Sequence, residues 1–434
     1  MKLLPYYIAT FIKDASKAAQ RISQREFKET LDKSLTELLG IETLIVRMYA
    51  LRKEGEEDVL HLWCVHQEEI ALCPHCNCVA TEVHQEEKRC IRHLDVWGRK
   101  TFLHFPSRRF KCEDCGKIFT EQLSFVGSYR RQSFAFEMHI YESCLSSSCK
   151  RVALREGLSH STVKEIFNRI AALKKASVNS NRIRVLGIDE ISLKKRHKQF
   201  VLVISDIDRK CIIAILPDRE KKTLEKWIES LSLQIRKSIR FVSIDMWRPY
   251  YQVARDMLPR AKVVVDRFHV MKQLNMRLTQ LRTKYQKECE EEIQKLLKGS
   301  RWILVRNRSE LSLSQEEQLK QILKACPELR TLYLLKEEFR TIFEKIQCRN
   351  KAARFLDMWC YRAKQTGNKY LLKFVDTFKN WREQILNYFI EGITNGFVEG
   401  TNNAIRVIIR VAFGYRNFDN FKLRVLAGLG ASPH

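Results

Sequence analysis

The sequence predicts a multidomain α/β protein, and three observations carry that prediction. Two Cys-x-x-Cys pairs, Cys73-Pro-His-Cys76 and Cys112-Glu-Asp-Cys115, stand in a strand-rich first part of the chain; a helical stretch with a turn glycine, Gly157, follows them. From Val185 onward the period changes to short apolar strands alternating with helices, and two of those strands run directly into a carboxylate, at Asp189 and Asp245. With 434 residues, 45% of them hydrophobic, the chain has material for several cores. Its 78 Lys and Arg against 51 Asp and Glu give a formal net charge of +27, and the cations are spread through every segment. That excess is far beyond what solubility requires and points to a polyanion, a nucleic acid, as partner.

Composition also excludes classes. Fourteen cysteines without a secretory leader read as metal ligands and core thiols of a reducing compartment, not as a disulfide framework. The apolar opening is interrupted by Pro5 and followed at once by charge, so it is not read as a leader. No run approaches the roughly 20 apolar residues of a membrane span; even 405–413 carries Arg406 and Arg410. A membrane or secreted role is excluded on these grounds, and a cytoplasmic location is expected.

Residues 1–40 form an N-terminal extension with Phe27, Leu31, Leu35 and Leu38 at approximate helical spacing and no readable function. Residues 41–125 read as a strand hairpin, 43–49 with 59–65 across a polar turn at 53–58, leading into a zinc ribbon. Thiolates Cys73, Cys76, Cys112 and Cys115 at this spacing can close a tetrahedral site for one structural Zn2+, and Gly116 suits the tight turn after the second pair. Cys64, Cys78, Cys90, His75, His84 and His93 lie nearby without a partner at ligand spacing and read as core or surface residues. Residues 126–180 read as the next domain, helical from 133 to 175, with Gly157 as the turn and Ser159 as the cap of a helix that buries Val163, Ile166, Phe167 and Ile170, and with 176–181 as a linker. The pattern is a helix-turn-helix whose polar face offers His160, Ser161, Lys164 and Arg169 to a DNA groove; the same residues also suit an ordinary helical hairpin.

Residues 181–275 carry strands expected at 185–188, 200–205 and 211–216, a helix near 223–235, a strand at 241–244, a helix near 250–258 and a strand at 262–265. A three-stranded meander followed by strands alternating with helices is the element order of a ribonuclease-H-like fold. In that order the first and fourth strands are neighbours, which brings Asp189 beside Asp245. Two adjacent carboxylates are costly unless a hard divalent cation binds them, and such a site suits phosphodiester chemistry. Residues 276–390 are rich in Leu, Lys, Glu and Arg, include Trp302, Trp359 and Trp381, and read as an all-α insertion whose aromatics are core or, in a specialised use, base-stacking. Residues 391–434 return to the catalytic domain: on a helix Glu399, Asn403, Arg406 and Arg410 share one face, while Ile405, Ile408 and Ile409 turn toward the sheet.

Taken together, Gly187-Ile-Asp189-Glu190, Ser243-Ile-Asp245-Met-Trp247, Val265-Asp266-Arg-Phe-His269, Val398-Glu399-Gly-Thr-Asn-Asn403 and Tyr415-Arg-Asn-Phe-Asp-Asn-Phe421, with the Cys knuckles, resemble the bacterial insertion-sequence transposases of the ISL-three family, of the DDE type. The resemblance covers about nine tenths of the chain, leaving out residues 1–40. It implies that Asp189, Asp245 and Glu399 are the catalytic triad and the ligands of two Mg2+ (or Mn2+), with Asp189 bridging them, and that Asp266, His269 and Asn403 support the site. It implies cleavage at terminal inverted repeats of double-stranded DNA and transfer of the freed 3′ hydroxyl to target DNA, by a homodimer or higher oligomer associated with the nucleoid when bound. Two rivals remain open: a zinc-ribbon and helix-turn-helix regulator without catalysis, and a nuclease of the same fold that cuts without joining.

Overall fold

A polar turn with Gly55 at φ +67° folds β1 (Leu44–Glu54) back on β2 (Glu57–His66), as the hairpin reading expects. These elements belong to a computed structural model that describes residues 35–37, 39–176, 182–194, 199–394 and 396–430. Most of the N-terminal extension, and all but the first residue of the linker expected at 176–181, lie outside the described residues. The chain divides into two compact units, Met1–Ile170 and Ala171–His434.

In the first unit, a short hairpin of β3 (Ala71–Leu72) and β4 (Val79–Ala80) is followed by β5 (Glu82–Val96), β6 (Arg99–Lys111) and β7 (Ile118–Thr120). The sheet runs β1-β2-β6-β5, with β7 on β6. β6 runs unbroken through Pro106, which stands opposite Lys88 in the β5 ladder and whose carbonyl accepts from His66 Nε2 at 2.6 Å. Leu44, Val46, Leu62, Ile91, Leu103 and Phe105 form the core. Three helices follow: α1 (Phe134–Ser146), α2 (Cys149–Glu156) and α3 (His160–Ala176). Gly157, at φ +68°, ends α2. Ser159 Oγ then accepts from the Thr162 N–H at 3.1 Å and starts α3. Val163, Ile166, Phe167 and Ile170 are buried, and Phe167 stacks on Tyr141 of α1 with ring centroids 5.4 Å apart.

In the second unit, β8 (Val185–Lys194), β9 (Gln199–Asp206) and β10 (Cys211–Leu216) form an antiparallel meander. The expected helix near 223–235 is two, α4 (Lys221–Ser230) and α5 (Leu233–Ser238), because Ser232 caps the second one through the Ile235 N–H at 3.2 Å. β11 (Phe241–Ile244) pairs parallel with β8, α6 (Arg248–Met257) crosses over, and β12 (Lys262–Val265) pairs parallel with β11. The order is β10-β9-β8-β11-β12.

Between β12 and the return to the sheet lie α7 (Arg267–Glu288), α8 (Glu291–Leu297), α9 (Arg301–Val305), α10 (Leu313–Ala325), α11 (Pro327–Lys345), α12 (Arg349–Gln365), α13 (Lys369–Asn380), α14 (Arg382–Leu386) and α15 (Tyr388–Glu391). Their core is continuous with one face of the sheet: Ile188, Leu202 and Ile204 share it with Leu224 and Val253 and with Leu278, Phe339 and Trp359. Asn387 Nδ2 donates to the Val263 carbonyl of β12 at 2.8 Å. The opposite face, Ile191, Val201, Val203, Ile212 and Ile215, is covered by α16 (Gly396–Val411) and α17 (Phe418–Leu429) through Ile405, Phe421 and Val425. Ile408 and Ile409 pack there too, as the helical spacing expects. Gly187 sits where β8 has no room for a side chain: a Cβ there would lie 2.5 Å from Ser205 Oγ and 3.1 Å from Ile207 carbons. No helix among the described residues is long and apolar enough to cross a membrane.

Candidate active site

The two Cys-x-x-Cys turns are built alike. After the first, Asn77 (φ +59°) donates its N–H to the Cys73 carbonyl at 2.9 Å; after the second, Gly116 (φ +69°) donates to the Cys112 carbonyl at 2.9 Å. The four Sγ atoms lie within 4.8 Å of one another, with Cys73–Cys115 at 3.7 Å and Cys76–Cys112 at 3.5 Å. A tetrahedron with Zn–S of about 2.3 Å has S···S edges of about 3.8 Å. The donor set therefore fits one structural zinc ion. Cys78 and the buried Cys64 are outside it; burial pushes the Cys64 thiol up to about 12, the mark of a core cysteine.

On α3, His160, Ser161 and Lys164 are exposed. Arg169 is not part of that free face: it is ion-paired at 2.5 Å with Glu137 of α1, whose side chain is 1% exposed, and so fastens α3 to α1.

In the second unit, the β8–β11 register pairs Val185 with Phe241 and Gly187 with Ser243. Extended along both chains, the same register sets Asp189 level with Asp245. Alternation puts Asp189 on the face of Ile191 and Val203, the face that α16 covers. There Asn402 of α16 donates its Nδ2 to Asp189 Oδ2 at 2.7 Å, and the Glu190 N–H donates to Asp189 Oδ1 at 2.8 Å. Glu190, on the opposite face, accepts from Tyr250 at 3.5 Å and is ion-paired with Arg219 at 3.4 Å; the Arg219 guanidinium in turn lies over the rings of Phe200 and Trp247.

These carboxylates are electrostatically crowded. Burial raises the Asp189 pKa, opposed by the Glu190 N–H, the Asn402 amide, Lys272 and Arg406. Asp245 is pushed up to about 7, first by burial and then by the charges of Asp189 and Glu190, with Lys272 and Arg219 only partly offsetting them. Its Oδ1 is buried and has no hydrogen-bond partner. Two neighbouring half-buried acids, one with a buried, orphaned oxygen, fit a divalent cation as the missing partner.

Glu399 lies one turn before Asn402 on α16, is exposed, and borders a cavity of about 310 Å³ also lined by Asp266, Asn307, Lys336 and Arg340. Among the described residues only the four thiols gather three or more ligand atoms within 4.8 Å, so Glu399 does not converge with the two aspartates to that distance. Asp266 is buried at the start of α7, and its carbonyl accepts from the His269 N–H at 3.1 Å. Burial lowers the His269 pKa despite the nearby Asp266. Asn403 is exposed and accepts from Arg406 at 2.6 Å; Arg410 is exposed. Sequence reasoning passed over Asn402, although it follows buried Val398 at i+4 and precedes Ile405 on the same stripe. Lys272 and the Glu190–Tyr250–Arg219 group carry no spacing signal.

Comparison with known proteins agrees with this organisation. Residues 186–425 match a transposase family model, residues 71–115 the zinc finger of the IS204/IS1001/IS1096/IS1165 transposases, and residues 121–171 the helix-turn-helix domain of transposase family ISL3. The transposase for insertion sequence element IS1001 of Bordetella parapertussis is 30% identical over 385 residues, 87% of this chain and 94% of that protein. The transposase for IS1557 of Mycobacterium tuberculosis H37Rv is 27% identical over 353 residues, 75% of this chain and 78% of that protein. With the match spanning more than half its length, and with the zinc-finger and helix-turn-helix models falling in order before it, this chain belongs to the ISL3 family of insertion-sequence transposases.

Proposed function

We propose that the β8–β12 sheet with α16 is a ribonuclease-H-like catalytic domain of the DDE type, interrupted by an all-α insertion, that cuts and joins DNA at the ends of its insertion sequence. The observation that carries this reading is the aligned pair Asp189 and Asp245, crowded enough to hold Asp245 near 7 and leaving its Oδ1 without a partner. Asp189, Asp245 and Glu399 are the residues that would hold two Mg2+ or Mn2+ ions. When bound there, the ions supply Lewis-acid activation of the attacking oxygen and charge neutralisation at the leaving one.

The remaining roles belong to the chain itself. Asn402 orients Asp189 and fixes the distance of α16 from β8, and therefore the approach of Glu399 one turn earlier. Asp266 and His269 anchor the start of α7 beside the site. His160, Ser161 and Lys164, with the zinc ribbon, read the terminal inverted repeats, while Arg406 and Arg410 contact phosphates. Handling two ends and a target DNA calls for a homodimer or larger assembly, working in the cytoplasm on the nucleoid.

The test is incubation of the purified protein with its flanking inverted-repeat DNA and Mg2+, comparing wild type with Asp189→Ala, Asp245→Ala and Glu399→Ala. Cleaved or joined ends with wild type alone support the assignment. Binding without cutting under any divalent metal overturns it in favour of a DNA-binding regulator, cutting without strand transfer in favour of a nuclease, and a variant that still cuts removes its residue from the triad.

A further inference from the structure

Three tryptophans fall within the helices between β12 and α16, and the fold treats them differently. Trp359 and Trp381 are core residues, 0% and 5% exposed, whereas Trp302 on α9 is 61% exposed. Trp302 stands in the wall of a groove of about 970 Å³ between α7, α9 and α13. Seven of the groove's lining side chains are cationic and one, Glu288, is acidic. The aromatic rings are interleaved with those cations: the Arg301 guanidinium lies 5.0 Å from the Trp302 ring centroid, and Lys369 Nζ lies 5.3 Å from that of Tyr370. Phe268, at the other end, is 46% exposed.

The groove leads somewhere. Phe268, Met271, Asn275 and Val305 line both it and the 310 Å³ cavity bordered by Asp266 and Glu399. Lys272, in the groove wall, is also among the cations acting on Asp189 and Asp245. From Phe268 to Glu288, α7 extends about 30 Å, the length of about nine nucleotides at B-form spacing. Cations suit phosphates of either single or double strands, but exposed ring faces between cations suit bases that have no pairing partner.

We propose that this groove is a track for a single DNA strand leading to the carboxylates, with Trp302 stacking on an unpaired base. Where the track ends rests on the active-site reading above; the binding itself does not.

The test uses the full chain with two fluorescein-labelled probes, a 20-nucleotide oligo-dT and a 20-base-pair duplex of arbitrary sequence, by anisotropy at several salt concentrations. Stacking contributions of the usual size predict that Trp302→Ala weakens oligo-dT binding about 5- to 150-fold. Duplex binding should change less than about twofold, and Trp302→Phe should retain most of the oligo-dT affinity. The double variant Lys287→Glu/Lys373→Glu, at two exposed groove positions, should weaken oligo-dT binding and flatten its salt dependence. Unchanged oligo-dT affinity in both variants, or equal losses on both probes, overturns the proposal; the lysine variant decides alone if Trp302→Ala melts early. Asp245→Asn separates the two readings. It should bind oligo-dT at least as tightly as wild type, having lost one charge that repels phosphate, but not cut: cutting by Asp245→Asn defeats the active-site reading, and wild-type oligo-dT binding by the groove variants defeats the track.

Discussion

Replacing Asp245 by Asn should stabilise the metal-free protein while abolishing cleavage. In the folded chain the Asp245 carboxyl titrates at about 7, against an ordinary 3.8, because burial and the charges of Asp189 and Glu190 oppose its ionisation. That difference corresponds to about 4 kcal/mol as an upper bound, and relaxation and solvent entry reduce the expected figure to about 1–3 kcal/mol. The sign follows from proton uptake. The unfolded chain releases this proton around pH 3.8 and the folded chain keeps it until about pH 7, so stability falls as pH rises between those values and the full cost is present above them. At pH 8 in a chelator, Asp245→Asn should therefore melt about 2–6 °C above wild type, at roughly 2 °C per kcal/mol for a unit of this size; the gap should narrow through pH 5 and nearly close by about pH 4. Millimolar Mg2+ should raise the wild-type melting temperature and close most of the gap. A variant that melts no higher than wild type at pH 8, or an advantage that does not depend on pH, would refute the electrostatic reading of the pair.

Other perturbations separate neighbouring roles. Cys112→Ser should reduce bound zinc, measured by elemental analysis, from one per chain to near zero and lower the stability of the first unit by several kcal/mol, about the scale of structural zinc sites, whereas Cys78→Ser should keep the metal. Asn402→Ala leaves Asp189 Oδ2 without its amide donor; a cost of about 1–3 kcal/mol should appear in kcat far more than in KM, in a cleavage assay. Arg169→Ala strands the buried Glu137 and should cost about 3–5 kcal/mol of stability, while Lys164→Ala should leave the melting curve unchanged and weaken end binding. Gly187→Ala, whose Cβ meets Ser205 and Ile207, should cost about 1–3 kcal/mol in a urea melt.

Much of this organisation is legible in the residues because it follows local rules. Strands β10, β11 and β12 coincide with the runs expected at 211–216, 241–244 and 262–265, since each is a short apolar run bounded by polar residues or turns. β8 continues to Lys194, beyond the run expected at 185–188, because its polar tail still pairs with β9, with Ser192 opposite Phe200 and Lys194 opposite Gln199. What a single helix cannot reveal is which of two adjacent polar residues faces inward. Counting from Glu399 favours Asn403; counting from Val398 and Ile405 favours Asn402, and packing against the sheet selects the second because only that stripe is apolar enough to bury. Arg169 has the look of a groove-facing residue until its partner Glu137, 32 positions upstream and invisible to periodicity, is brought beside it. Trp302 sits on a helix of only five residues, too short to show a buried face.

The +27 charge and the strained carboxylates are two sides of one electrostatic arrangement. On the proposed reading a polyanion must approach a centre that is itself acidic, and Coulomb repulsion between phosphate and Asp189, Asp245 and Glu190 would oppose it. Lys272 and Arg406 act on Asp189, and Lys272 and Arg219 on Asp245, yet together they leave Asp245 near 7. The protein's own cations therefore neutralise the centre only in part. Closer pairing would lower the Asp245 pKa and remove the orphaned oxygen, and with it the incentive to take a divalent ion. Placing the cations a little apart, along the α7 groove and the exposed side of α16, lets them attract phosphate without satisfying the acids. On the proposed reading, the acids then remain available for metal and the lysines and arginines for DNA.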